Sequence, residues 1–192
     1  WVPHKTAALT VTGPELAEFA KFFPQVQGGV VDVIRGLFLM PVTTAAVLLG
    51  LAASRFAVRP IVRFAGTGLA ALLALVALPP YGFYLAPEYR VHLILAIGGV
   101  MLVLLTLLAR RLPRRVWGFL VALLALVGAI PALWQFVLLR PLIVALYGNG
   151  FGLGWGLATC MAGFALLLIS ATLSISMSGQ RLAANSPPTA NR

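Results

Sequence analysis

The chain reads as an all-α membrane protein: five transmembrane helices, a short extracytoplasmic amphipathic helix, and a sixth helix or signal segment expected before residue 1. Three observations lead there. Of 192 residues, 61% are hydrophobic and 9% are charged, and the mean hydropathy is +1.01. The apolar residues fall into five long runs. The basic residues gather in the connections on one side of those runs. A soluble domain is about one quarter charged, and the polar groups here are too few to cover so much apolar surface. The bilayer must solvate most of the chain.

Residues 1–29 form the extracytoplasmic segment. Within it, residues 13–23 read as a helix. Pro14 suits the first helical position, where its missing N–H costs nothing, and Glu15 and Glu18 suit the positive amino end. Leu16, Phe19, Phe22 and Phe23 recur on one face, which fits a helix lying in the membrane interface or one packed on protein. Pro24 ends it.

Residues 30–176 form the transmembrane domain, with spans at about 30–53, 64–81, 91–109, 116–139 and 154–176. About 20 apolar residues cross a hydrocarbon core of about 30 Å, and each run suffices. Pro41 is expected to bend the first span and Pro131 to kink the fourth, while Pro79 and Pro80 close the second. The tail 177–192, rich in Ser, Pro, Asn and Ala, is expected to be a disordered cytoplasmic segment.

Charge orients the spans. Arg55, Arg59, Arg63, Arg110, Arg111, Arg114, Arg115, Arg181 and Arg192 share one side with no acid. The other side has Lys5, Lys21, Arg35, Arg90 and Arg140 with all four acids, Glu15, Glu18, Asp32 and Glu88. Lys and Arg excess marks the cytoplasmic face. The carboxyl end is therefore expected inside and the amino end outside, in a plasma or bacterial inner membrane. An exported amino end requires translocation, hence the hydrophobic segment expected ahead of Trp1. The net charge of +10 does not indicate nucleic acid, because no polar domain carries it.

Ionisable groups inside spans mark transport or chemistry, and the middles of these spans hold none. Asp32 and Arg35, three residues apart, are expected to pair on one helical face. His92, at the outer end of the third span, is the one candidate cofactor ligand, for a haem or chlorin metal; the alternative is an interfacial polar residue. His4 is the only other histidine, and two histidines alone make a poor zinc site. The lone Cys160 excludes a disulfide within the chain and reads as packing. Thr43 and Thr44 can bond back to their own helix, whereas Gln135 is expected to bond across helices.

Small residues recur at spacings of four in Ala46, Gly50 and Ser54, in Gly66, Ala70 and Ala74, and in Gly152 and Gly156, followed by Gly163, Ser170 and Ser174. Such faces let helices approach closely, within this chain or against a partner subunit. Residues 148–156 alternate glycine with larger residues and follow a segment, 141–147, too short to span. Together they read as a half-buried outer loop, re-entrant or simply a turn. No Walker, HExxH, GxSxG or CxxCH motif occurs, and no transporter-type repeat.

These readings favour a non-catalytic subunit packed against other membrane subunits of a respiratory, photosynthetic or transport complex. The alternative is an accessory or permease-like component of a transporter. A third reading is a lipid-directed enzyme using His4, His92, Asp32 or Glu88 at the outer face.

Overall fold

Among the described residues five helices are long and apolar enough to cross a membrane: Arg35–Phe56, Pro60–Ala77, Pro87–Ala109, Arg114–Leu146 and Trp155–Ser176. The computed structural model describes residues 2–4, 7–9, 12–57, 59–84, 86–147 and 155–184. In chain order it has the strands β1 (Val2–His4) and β2 (Ala7–Leu9) and the helices α1 (Gly13–Phe19), α2 (Pro24–Gln27), α3 (Met40–Phe56), α4 (Pro60–Ala74), α5 (Arg90–Leu105), α6 (Arg114–Tyr147) and α7 (Trp155–Ala184). Short 3-10 turns extend α3 and α5 at one or both ends. The strands form a small antiparallel ribbon pairing Val2 with Leu9 and His4 with Ala7. That ribbon is the one departure from an all-helical fold among the described residues.

The first span is the hub. Half of its most apolar stretch is buried (50%), against 11% for α7. It packs on α4, α5 and α6. Glycines set the crossings, because a missing Cβ lets two backbones come close. A Cβ on Gly50 would lie 2.9 Å from Thr106 Oγ1, one on Gly66 2.8 Å from Ala53 Cβ, and one on Gly99 2.8 Å from Thr43 Cγ2. Gly36 meets Val91, and Gly128 meets Thr44 and Phe164. Positions 36, 43 and 50 thus meet 91, 99 and 103–106 in ascending order, so the first span runs parallel to α5. Ala70 and Ala74, both at 0% exposure, complete the α3–α4 seam. Pro41 stands in the first turn of α3, where a 3-10 turn gives way to α-helix, as its missing N–H allows.

Two expectations from sequence are corrected. Residues 141–147 are not a separate re-entrant segment: α6 continues unbroken through Pro131 and Pro141 to Tyr147. At 34 residues it is about 50 Å long, well beyond the hydrocarbon thickness. Its last turns pack on the amino-terminal helices and the start of the first span, Leu139 and Ile143 meeting Ala17, Ala20, Phe23 and Phe38. Nor is the whole tail from 177 irregular, since α7 runs on to Ala184. Gln180, Arg181, Leu182, Ala183 and Ala184 are good helix formers and extend a helix already nucleated.

Of the two readings for residues 13–23, the structure gives the one packed on protein. Thr12 and Glu15 close the amino end of α1: the Glu15 carboxylate accepts the Thr12 backbone N–H at 2.7 Å and its hydroxyl at 2.8 Å, a capping interaction. Those bonds, the backbone one first, lower the Glu15 pKa. Ala17, Ala20 and Phe23 face the core, while Phe22 points outward at 65% exposure.

Candidate functional site

Polar side chains converge where the first, third and fourth spans meet the amino-terminal helices. Tyr89 is buried and sits at the centre. Its hydroxyl donates to Glu18 Oε2 at 2.9 Å. The same oxygen accepts from Lys21 Nζ, also at 2.9 Å. The Arg35 guanidinium lies over the Tyr89 ring at 5.4 Å, and the His92 ring meets its edge at 5.2 Å. Arg35 Nη2 reaches the carboxylate and the backbone carbonyl of Glu88, each at 3.5 Å.

Electrostatics follow from this geometry. Burial raises the Glu18 carboxyl, but hydrogen bonds from Lys21 and Tyr89 outweigh it and hold the group below its ordinary value. The Glu18 bond in turn raises Lys21. Arg35 is less well served. Its side chain is only 13% exposed, its contacts with Glu88 lie beyond the usual hydrogen-bond range, and its Nη1 is buried without a partner among the described residues.

Two cavities flank this cluster. One, of about 390 Å³, is lined by Lys21, Phe22, Val26, Gln27, Arg35 and Glu88. The other, of about 490 Å³, is apolar, lined by Phe19, Phe22, Phe23, Leu142 and Leu146 among others. Phe22 is the wall they share.

The residues singled out from sequence fall in four places. His92 is buried at 4% exposure, with Nδ1 unpartnered among the described residues. Gly36 lies beside it: the missing Cβ makes room for Val91, and a Cβ there would stand in ordinary contact, at 3.7 Å, with His92 Nδ1. No group of three His, Cys, Asp or Glu that could hold a metal comes together among the described residues. Asp32 does not pair with Arg35. Residues 32–34 are not helical, so the i, i+3 relation places no shared face there, and Arg35 turns to Glu88 instead. Thr43 and Thr44 bond back to Leu39 and Met40 at 3.1 and 2.8 Å. Gln135 is buried, but its Oε1 finds no interhelical partner among the described residues.

The small-residue faces divide. Gly50, Gly66 and Ala70 are internal seams. On α7, a Cβ at Gly156 or Gly163 would meet nothing within 4 Å among the described residues, and Ser170 is exposed. Gly152 and the glycine-alternating run up to 154 lie outside the described residues.

Sequence reasoning did not find Glu18, Lys21, Phe22 or Tyr89 as members of one cluster. The Tyr89–Glu18 bond joins residues 71 apart and the Arg35–Glu88 pair residues 53 apart, so no local spacing announces them. The restriction of all four acids to one side was the only available signal.

Fold and composition define a helical membrane protein. Comparison with protein-family models, curated proteins and solved structures gave no match.

Proposed function

We propose that this chain is a non-catalytic membrane subunit that docks another transmembrane segment on the outward face of α7. The observation that carries this reading is the placement of Gly156, Gly163 and Ser170. They recur every seven residues, hence on one face, and that face is open. The α7 helix packs mainly on α6, through Phe164 against Gly128 and Ile175 and Ala171 against Gly118. Lipid tails gain nothing from glycine, because a larger apolar side chain meets them with more dispersion. A second helix does gain, because small residues let its backbone approach. Two neighbouring hydroxyls are satisfied within α7: Thr159 donates to Trp155 O at 2.9 Å and Ser174 to Ser170 O at 2.8 Å.

The arginine-rich end is assigned to the cytoplasm by the same proposal. The test is site-directed cross-linking in native membranes, with Cys160 replaced by Ser and one cysteine placed at Gly163 or, as control, at the lipid-exposed Ile97. A discrete adduct from position 163 alone supports the docking face. Equal labelling by lipid at both positions refutes it.

A further inference from the structure

We propose that the paired cavities beside Phe22 bind one zwitterionic phospholipid, its phosphate on Arg35 and Lys21, its ammonium on Glu88, and an acyl chain in the apolar cavity. This does not depend on the α7 reading.

Charge selects the headgroup. Lys21 and Arg35 are matched one for one by Glu18 and Glu88, so the site is formally neutral. An anionic headgroup would leave it negative, whereas a zwitterion leaves the balance unchanged. The two ion pairs are not equivalent. Lys21 holds Glu18 at 2.9 Å, in a bond shared with Tyr89. Arg35 holds Glu88 at only 3.5 Å, and Glu88 is 56% exposed. A long, exposed pair is worth little and opens readily. Displacing Glu88 from Nη2 frees that edge of the guanidinium for a phosphate oxygen, a charge-assisted bond of the geometry guanidinium favours. The released carboxylate then meets the ammonium. Arg35 needs no reordering for this, being fixed on the Tyr89 ring. Its Nη1 is buried and has no partner among the described residues, so the guanidinium has donor capacity to spare there.

Position selects the tail. Arg35 begins the first span, Glu88 lies in the first turn of the third, and Leu146 ends the fourth. The cavities therefore sit at the boundary of the apolar layer, where a lipid presents its phosphate at one level and its chains at the next. Phe22 faces both spaces, so a molecule passing over it has polar walls on one side and Phe19, Phe23, Leu142 and Leu146 on the other.

The experiment uses the full chain, delipidated in mild detergent. It is titrated with phosphatidylethanolamine, with phosphatidylglycerol of the same acyl chains, and with water-soluble ethanolamine phosphate, and bound ligand is read by native mass spectrometry. The expected result is one tightly held phosphatidylethanolamine per chain, preferred over phosphatidylglycerol roughly fivefold, the size of one exposed charge pair. Ethanolamine phosphate should bind more weakly than the lipid, and Glu88→Gln should abolish the headgroup preference while lipid is still retained. Equal retention of the two lipids by the wild-type chain overturns the proposal, and that arm requires no variant. A preference surviving in Glu88→Gln overturns the role of the carboxylate. Ethanolamine phosphate binding as tightly as lipid overturns the role of the apolar cavity.

Discussion

Gly66→Ala adds one methyl group, and the structure says where it lands. The new Cβ would lie 2.8 Å from the Ala53 Cβ. Ala53 has no rotamer by which to withdraw, so α3 and α4 must part. Carbon atoms rest at about 3.5–4.0 Å, which requires roughly 1 Å of separation along a seam where Ala70 and Ala74 are fully buried. Overpacking of this kind costs about 1–3 kcal/mol, or about 5- to 160-fold in the folding equilibrium. Gly163→Ala is the matched control, since among the described residues nothing lies within 4 Å of its added Cβ. There the better helix propensity of alanine should leave stability unchanged or raise it by up to about 1 kcal/mol. The assay is unfolding of both variants in the same detergent, by heat or denaturant. Equal stability of Gly66→Ala and wild type would refute the claim that glycine sets the α3–α4 approach.

Three further outcomes are expected. Glu18 titrates below its ordinary value of 4.5, so its stabilisation is complete above that pH and is lost as pH falls through the lowered folded value. Glu18→Gln should therefore flatten the acid limb of a stability–pH profile, and an unchanged limb would show that the Lys21 and Tyr89 bonds contribute nothing. Gln135→Met replaces a buried side chain whose Oε1 has no partner among the described residues by an apolar one of similar volume. It should be neutral or stabilising by up to about 2 kcal/mol, and a loss of stability on thermal unfolding would reveal a partner for that oxygen. Reporter fusions at Arg63 and Arg115 should read as cytoplasmic and one at Glu88 as exported, the reverse pattern contradicting the proposed orientation.

The spans were legible because a bilayer demands about 20 apolar residues in a row, and no partner is needed to recognise that. Their ends were less so. Pro141 beside Arg140 reads as a break, yet α6 passes through because tertiary contacts with Ala17, Ala20 and Phe23 stabilise turns that local propensity disfavours. The polar cluster was the least legible, since Glu18, Arg35, Glu88 and Tyr89 belong to three separated segments. Small-residue spacing revealed which residues permit close approach but not what approaches. Gly66 and Gly163 carry the same signal, and only the packed structure separates an occupied seam from an open one.

The docking role of α7 is tested most directly by what accompanies the chain out of its native membrane. Wild type and the double variant Gly156→Leu, Gly163→Leu would be extracted in mild detergent and their particle masses and co-purifying chains compared. A Cβ built on either glycine meets nothing within 4 Å among the described residues, so the variant should insert and unfold as the wild type does. The expected result is a wild-type particle heavier than the chain by a stoichiometric partner, and a variant that has lost that partner because two leucines hold the facing backbone away. Identical partners and masses for the two proteins, or a wild-type chain recovered alone, would contradict the proposal.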